Sequence, residues 1–183
     1  VYCDAWGLSA DSQQTGGRWF GDGVIEATAK ENYSQHRILV IKLGALGDLV
    51  LALGPCAAIR NHHSNAHITL LTTAPYAEFV AASGYFDEII IDKRSPWWRP
   101  FESFALGRRL KRGRFDRVYD LQTSERSGWY FELMGREPEW SGIARGCSHP
   151  HGNPGRNTMH TVARQREQLA LAGIDVVAAS DLS

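Results

Sequence analysis

Hydrophobic positions become regular only from Arg37. Before it, Asp11-Ser-Gln-Gln-Thr-Gly-Gly17 and Gly21-Asp-Gly23 interrupt every candidate period, with Trp6, Trp19 and Phe20 isolated between them, so residues 1–36 read as an irregular leader. The run Arg37-Ile-Leu-Val-Ile-Lys-Leu43 is short, apolar and β-rich, and it ends in Gly44-Ala-Leu-Gly47-Asp48 ahead of an apolar stretch reaching Arg60. That order predicts strand, glycine turn and helix. Pro55 falls inside the helical stretch, where its missing N–H predicts a kink or a late start.

The unit then recurs. His67 to Thr73 is strand-like, Pro75 to Ala82 is helical with proline in the favoured first turn, and Glu88-Ile-Ile-Ile91 is a third strand. A helix from about Pro100 to Lys111, a strand over Phe115 to Gln122, a helix from Ser124 to Met134 and a short strand near Trp140 to Ile143 follow. Arg145 to Asn157 has no period and reads as a loop, and Met159 to Ala172 is a final helix stopped by Gly173. Strands alternating with helices predict an α/β fold: a Rossmann-like, doubly wound parallel sheet, because each parallel crossover needs a returning helix. The expected organisation is a leader 1–36, a Rossmann-like domain 37–158, and a helix and linker 159–183.

Composition narrows the classes. Of 183 residues, 43% are hydrophobic and 22% charged, enough for one sizeable core. Twenty Lys and Arg balance twenty Asp and Glu, so no global electrostatic footprint for nucleic acid exists and any basic site is local. Cys3, Cys56 and Cys147 are odd in number and far apart, which predicts unpaired thiols. No apolar run approaches the ~20 residues of a membrane span, so a cytoplasmic protein is expected.

In an open parallel sheet, ligands bind outside the carboxyl ends of the strands. The first candidate is therefore the turn Gly44-Ala45-Leu46-Gly47-Asp48, whose glycines let backbone approach a ligand ahead of a helix N-terminus. Its spacing is neither G-x-G-x-x-G nor a Walker sequence, which argues against a nucleotide-dependent oxidoreductase. The second is Lys93-Arg94-Ser-Pro-Trp-Trp98-Arg99, where cations beside indoles suit an anionic sugar. The third is the end of the fourth strand, with Gln122, Thr123 and Arg126; for each candidate the plain alternative is a capped turn or a solvated loop. Cys147, His149 and His151 offer zinc-type donors but no second ligand cluster, so no metal is expected.

Taken together, Lys42-Leu-Gly-Ala-Leu-Gly-Asp-Leu-Val50 after the first strand, proline in the next helix, Asp120-Leu-Gln-Thr-Ser124, and His160-Thr-Val-Ala-Arg164 opening the last helix resemble glycosyltransferase family 9, the ADP-heptose:lipopolysaccharide heptosyltransferases. The resemblance covers residues 37–183. It implies the acceptor-side, N-terminal half of a two-domain GT-B enzyme, with a nucleotide sugar such as ADP-heptose held mainly by a second half, and no further cofactor. By position it makes Asp48 the general base and places Gly44, Ala45, Gly47, Lys93, Arg94, Trp98, Arg99, Gln122, Thr123 and Arg126 against a lipopolysaccharide-core acceptor. His149, His151, His160 and Arg164 would line the cleft. Gly44-Ala45 departs from the family, where many members carry hydroxyl residues. The implied setting is the inner face of the cytoplasmic membrane, and the isolated chain is expected to be inactive. The competing class is a stand-alone module that binds an anionic sugar or nucleotide without chemistry.

Overall fold

The structure is a computed structural model that describes residues 35–94 and 100–175. Leader residues 1–34, residues 95–99 with Trp98 and Arg99 among them, and the residues after 175 lie outside the described residues. Strands β1 (Arg37–Ile41), β2 (His67–Thr72), β3 (Glu88–Ile91), β4 (Arg117–Asp120), β5 (Glu139–Gly142) and β6 (His149–Pro150) form one parallel sheet in the order β3-β2-β1-β4-β5-β6. The helices between them are α1 (Leu46–His62), α2 (Ala77–Ala81), α3 (Pro100–Arg112), α4 (Glu125–Leu133) and α5 (Thr161–Leu171).

Both faces of the sheet are covered, which is why β1 reads as a continuous apolar run. Side chains alternate across a strand. Ile38 and Val40 therefore enter one core with Leu49, Ala52 and Ile59 of α1, Val80 of α2 and Leu169 of α5, while Leu39 and Ile41 enter the other with Leu110 of α3 and Tyr130 and Phe131 of α4. Each apolar side chain so buried contributes about 1.5–3 kcal/mol relative to exposure. The last helix is integral to the first core, since Leu169, Ala172 and Ile174 pack there with α1.

Differences from the sequence expectation are local. The loop expected over 145–157 contributes the two-residue β6 at the sheet edge, paired at Ser141 with His149 and at Gly142 with Pro150. Helix α1 begins at Leu46, before Gly47 and Asp48, and runs seventeen residues with Pro55 buried inside it. His63, which follows α1 in a stretch the hydrophobic pattern leaves unassigned, is half-buried and shares a 2.8 Å hydrogen bond with the Tyr119 hydroxyl. Burial, then the nearby His62 and Arg117 charges, push its imidazole down to about 4. Cys56 and Cys147 are buried free thiols.

The strand order reverses direction between β1 and β4, so the chain leaves their carboxyl ends on opposite faces. A crevice results at that point in doubly wound sheets. The turns following β1 and β4 flank it.

Candidate functional site

Lys42 continues β1 beyond its last paired residue, donating its backbone N–H to Leu71 O at 3.0 Å. Its side chain is 2% exposed, with Nζ 3.4 Å from Leu121 O and 3.9 Å from Asp48 Oδ2. Burial lowers the lysine's pKa, and Asp48, the largest opposing influence, raises it in part. Asp48 stands in the first turn of α1 with its side chain 47% exposed. The helix is begun by Ala45, which has no side-chain cap, so Asp48 serves the first turn by its charge. The arrangement is a half-open carboxylate held over a sealed ammonium.

Between them runs the glycine turn. Gly44 has φ +125, a conformation that side-chain-bearing residues rarely adopt, and a Cβ there would lie 2.5 Å from Tyr76 Cε2. The Gly44–Ala45 peptide bond is cis. Ala45, Leu46 and Gly47 are exposed, and nothing lies within 4 Å of a Cβ built on Gly47. Backbone is thus presented openly beside Asp48.

Across the crevice, Gln122 Oε1 accepts a hydrogen bond from Leu43 N at 2.9 Å, and Leu43 O accepts from Thr73 Oγ1 at 3.1 Å. The Gln122 side chain therefore ties the turn after β4 to the turn after β1. Asp120 shapes its own turn, accepting from Gln122 N at 3.1 Å and Thr123 N at 2.8 Å, which supports the left-handed backbone of Thr123 at φ +46. The Asp120 carboxyl is completely buried, and burial raises it to about 6 against the pull of the Thr123 amide, the Ser127 hydroxyl, the Gln122 amide and Lys42. Ser124 then caps α4 in a reciprocal capping box with Ser127.

Arg126, in the first turn of α4, does not stand open to a ligand on all sides. Its guanidinium makes two 2.9 Å bonds to Asp92 after β3, and Nε lies 2.8 Å from the Tyr130 hydroxyl, which in turn donates to Asp92 at 2.5 Å. Burial pushes the Asp92 carboxyl up, but Arg126, Tyr130 and the Arg94 amide outweigh it and hold the group below the usual range. Lys93 and Arg94 are exposed immediately after Asp92, with Arg94 N donating to Asp92 Oδ1 at 2.8 Å. A pocket of about 210 Å³ opens beside them, lined by Asp92, Lys93, Glu102, Ser103 and Arg109.

The histidines separate. His149 turns toward the amino end of the sheet, with Nε2 3.4 Å from Arg117 Nη2 and 3.8 Å from Glu139 Oε2, because β6 aligns it with Ser141 and its side chain reaches back along β5. It does not line the crevice. His151 is buried beside α5, and its ring lies 3.5 Å from Glu167. His160 caps α5, Nδ1 accepting from Val162 N at 3.3 Å, and Arg164 follows one turn later. Among the described residues no group of three or more His, Cys, Asp or Glu is placed to hold a metal.

Gln165 and Gln168 were not singled out by the sequence, yet both are 1% exposed. Gln168 Nε2 bridges Asp120 O at 2.9 Å and Ser141 O at 3.1 Å, pinning α5 to the carboxyl ends of β4 and β5. Polar residues three apart on an otherwise apolar helix face are the only sequence signal they give.

The same architecture occurs in solved glycosyltransferases. The family 9 glycosyl transferase from Veillonella parvula superposes with TM-score 0.67 at 22% identity, over 80% of this chain and 44% of its own. The chain has the fold seen in glycosyltransferase family 9. Escherichia coli ADP-heptose lipopolysaccharide heptosyltransferase II superposes with TM-score 0.61 at 18% identity, covering 80% of this chain and 46% of its own. E. coli heptosyltransferase WaaC, solved with ADP-2-deoxy-2-fluoro heptose, superposes with TM-score 0.57 at 17% identity over 80% and 50%. The chain thus spans about half the length of these structures. No protein-family model matches the sequence, and no curated protein does.

Proposed function

We propose that this chain is the acceptor-side half of a heptosyltransferase-type enzyme of glycosyltransferase family 9, in which Asp48 is the general base. The observation that carries the reading is Asp48 itself: a half-exposed carboxylate at the sheet's switch-point crevice, over buried Lys42 and beside the open backbone of Ala45 to Gly47. The fold shared with solved heptosyltransferases supports it.

Chemically, the acceptor hydroxyl attacks the anomeric carbon of a nucleotide-linked heptose. As the new C–O bond forms, Asp48 takes the hydroxyl proton and the bond to the donor's diphosphate breaks, inverting the anomeric centre in a single displacement. Lys42 holds Asp48 in place from below. Ala45, Gly47, Gln122 and Thr123 border the acceptor, with Lys93, Arg94 and, beyond the described residues, Trp98 and Arg99 offering cations and indoles to its carboxylates and phosphates. Arg126, fixed by Asp92, extends that basic edge. The donor's nucleotide belongs to a second half, so the chain alone binds acceptor and transfers nothing.

The reading places the reaction on a lipopolysaccharide-core acceptor at the inner membrane face. Among the described residues no helix is long and apolar enough to cross a membrane. The test is transfer from ADP-heptose to a core acceptor by the protein carrying both halves, with the chain alone as control. Transfer by the former only supports the reading, and inactivity of both with this donor and acceptor refutes the heptose assignment.

A further inference from the structure

The run Arg108-Arg109-Leu110-Lys111-Arg112-Gly113-Arg114 takes no part in the crevice. It closes α3, and residues 100–114 carry five cations and one acid in a chain whose formal charge is zero. Residues three and four apart share one face of a helix. The inward face of α3 is Leu106, Gly107 and Leu110: Leu110 is completely buried, Leu106 packs against the core shared by Leu39 and Ile41, and a Cβ on Gly107 would lie 3.2 Å from Leu133 of α4. The opposite face is Phe101, Phe104, Ala105, Arg108 and Arg112, all exposed, Phe101 at 87% and Phe104 at 67%.

Scattered apolar side chains are ordinary on a protein surface, whereas these two rings stand one turn apart at the middle of one helix face. Trp129 of α4, 41% exposed, adds a third ring on the same helical layer. Both helices return between parallel strands and so run in the same direction; Leu133 meets Gly107, and one turn earlier Trp129 comes to the level of Ser103 and Phe104. Toward the other end of α3, Arg108, Arg112 and Arg114 are exposed and make no ion pair among the described residues, while Arg109 pairs with Glu88 and Lys111 with Glu137.

We propose that the outward face of α3, with Trp129 beside it, docks the protein on the surface of a bilayer that contains anionic phospholipid. Phenylalanine and tryptophan rings seat at the boundary between headgroups and acyl chains, and arginines beside them pair with lipid phosphates. The thirteen-residue helix is roughly 20 Å long and lies along the sheet, so its rings and guanidiniums reach one plane together. Nucleic acid fits this face less well. Its phosphates run beside its bases and call for cations interleaved with rings, whereas here the rings occupy the first turns and the unpaired cations the last. The inference stands on α3 and α4 and does not rest on the glycosyl-transfer reading.

The test is co-sedimentation of the 183-residue chain with vesicles, either of phosphatidylcholine alone or of phosphatidylcholine and phosphatidylglycerol in equal parts. Binding to the anionic vesicles at low salt, at least tenfold tighter than to the neutral ones, is expected, and moderate salt should weaken it. Phe101→Ser with Phe104→Ser, and Arg108→Gln with Arg112→Gln, should each weaken binding at least tenfold while the circular dichroism of the fold is retained. Arg145→Gln with Leu171→Ser, an exposed cation and an exposed leucine elsewhere, should leave it unchanged. Absence of binding to anionic vesicles, unaltered affinity in either α3 variant, or an equal loss in the control variant overturns the proposal. A chain that ignores vesicles but self-associates through Phe101 and Phe104, or binds single-stranded DNA through Arg108 and Arg112, also overturns it and assigns the face to a second copy or to nucleic acid. If the phenylalanine variant does not fold, the arginine variant decides, and unchanged affinity there overturns the proposal.

Discussion

Lys42 Nζ lies 3.9 Å from Asp48 Oδ2, a 2%-exposed ammonium beneath a 47%-exposed carboxylate. The pair joins the residue just beyond β1 to the first turn of α1, so sheet geometry fixes where the carboxylate stands. Lys42→Met keeps the buried stem but removes that charge. In the protein carrying both halves it should lower kcat more than it raises acceptor KM, whereas equal effects on both would mean that the pair only holds the turn.

The turn itself is sterically closed to larger residues. Gly44→Ala puts a Cβ 2.5 Å from Tyr76 Cε2 at φ +125, so it should cost roughly 1–3 kcal/mol, read as a lower urea midpoint at unchanged slope. Gly47→Ala meets no neighbour and should cost no more than a few tenths of that. Equal midpoints for the two variants would contradict the packing.

Gln122→Ala removes the acceptor of Leu43 N and leaves that amide unpaired in a buried stretch, at a cost of about 1–3 kcal/mol. Gln122→Glu keeps an acceptor oxygen and should retain most of the stability. Chemical denaturation of both variants checks this, and a neutral Gln122→Ala would show that the crevice turns are not tied through it.

A buried carboxyl and a half-buried imidazole give opposing pH dependences. Asp120 is raised to about 6 in the fold from an ordinary 3.8, so the native state holds the proton more tightly and stability falls as pH rises from about 4 to 6. Above pH 6 the cost is on the order of 3 kcal/mol. His63 is lowered to about 4 from 6.5, so its contribution is present above pH 6.5 and lost as pH falls toward 4. Relative to the unsubstituted chain, Asp120→Asn should therefore make stability rise more steeply with pH between 4 and 6, and His63→Gln should make it rise less. Parallel stability curves for all three proteins would contradict both assignments.

Much of this was readable in the residues. The alternation of strands with helices implies a sheet covered on both faces, the third strand is bounded as Glu88–Ile91 in sequence and structure alike, and Gly44, Asp48 and Gln122 fall on one sheet edge as strand ends require. Periodicity misses what short or polar segments do. β6 is two residues within a Gly, Pro and His-rich stretch, and its existence depends on pairing with β5. Gln168 gives no signal in the sequence because its burial is decided by the backbone carbonyls of β4 and β5, which lie far away in sequence. His63 is drawn inward by Tyr119, fifty-six residues distant. Arg126 was legible as an edge residue, but its clamp by Asp92 and Tyr130 requires the β3 and α4 ends to meet.

The basic edge gives a binding prediction. Lys93 and Arg94 are exposed, and with Arg99 they would meet an anionic acceptor through charge-assisted bonds that salt weakens. The triple alanine variant of the two-half protein should raise acceptor KM more than it lowers kcat, with donor affinity unchanged. Acceptor titrations at low and moderate salt check this, and an unaltered KM at both would make the loop a solvated surface.

The most direct test of the account is the turnover of Asp48→Ala in the protein carrying both halves, with ADP-heptose and a lipopolysaccharide-core acceptor at saturation. Loss of a general base predicts a fall in kcat of roughly two to four orders of magnitude, with donor affinity nearly unchanged. Asp48→Asn should fall as far, because an amide keeps the shape but cannot take the proton. Turnover within a few-fold of the unsubstituted enzyme in either variant would remove Asp48 from the chemistry and contradict the reading of this crevice as an active site.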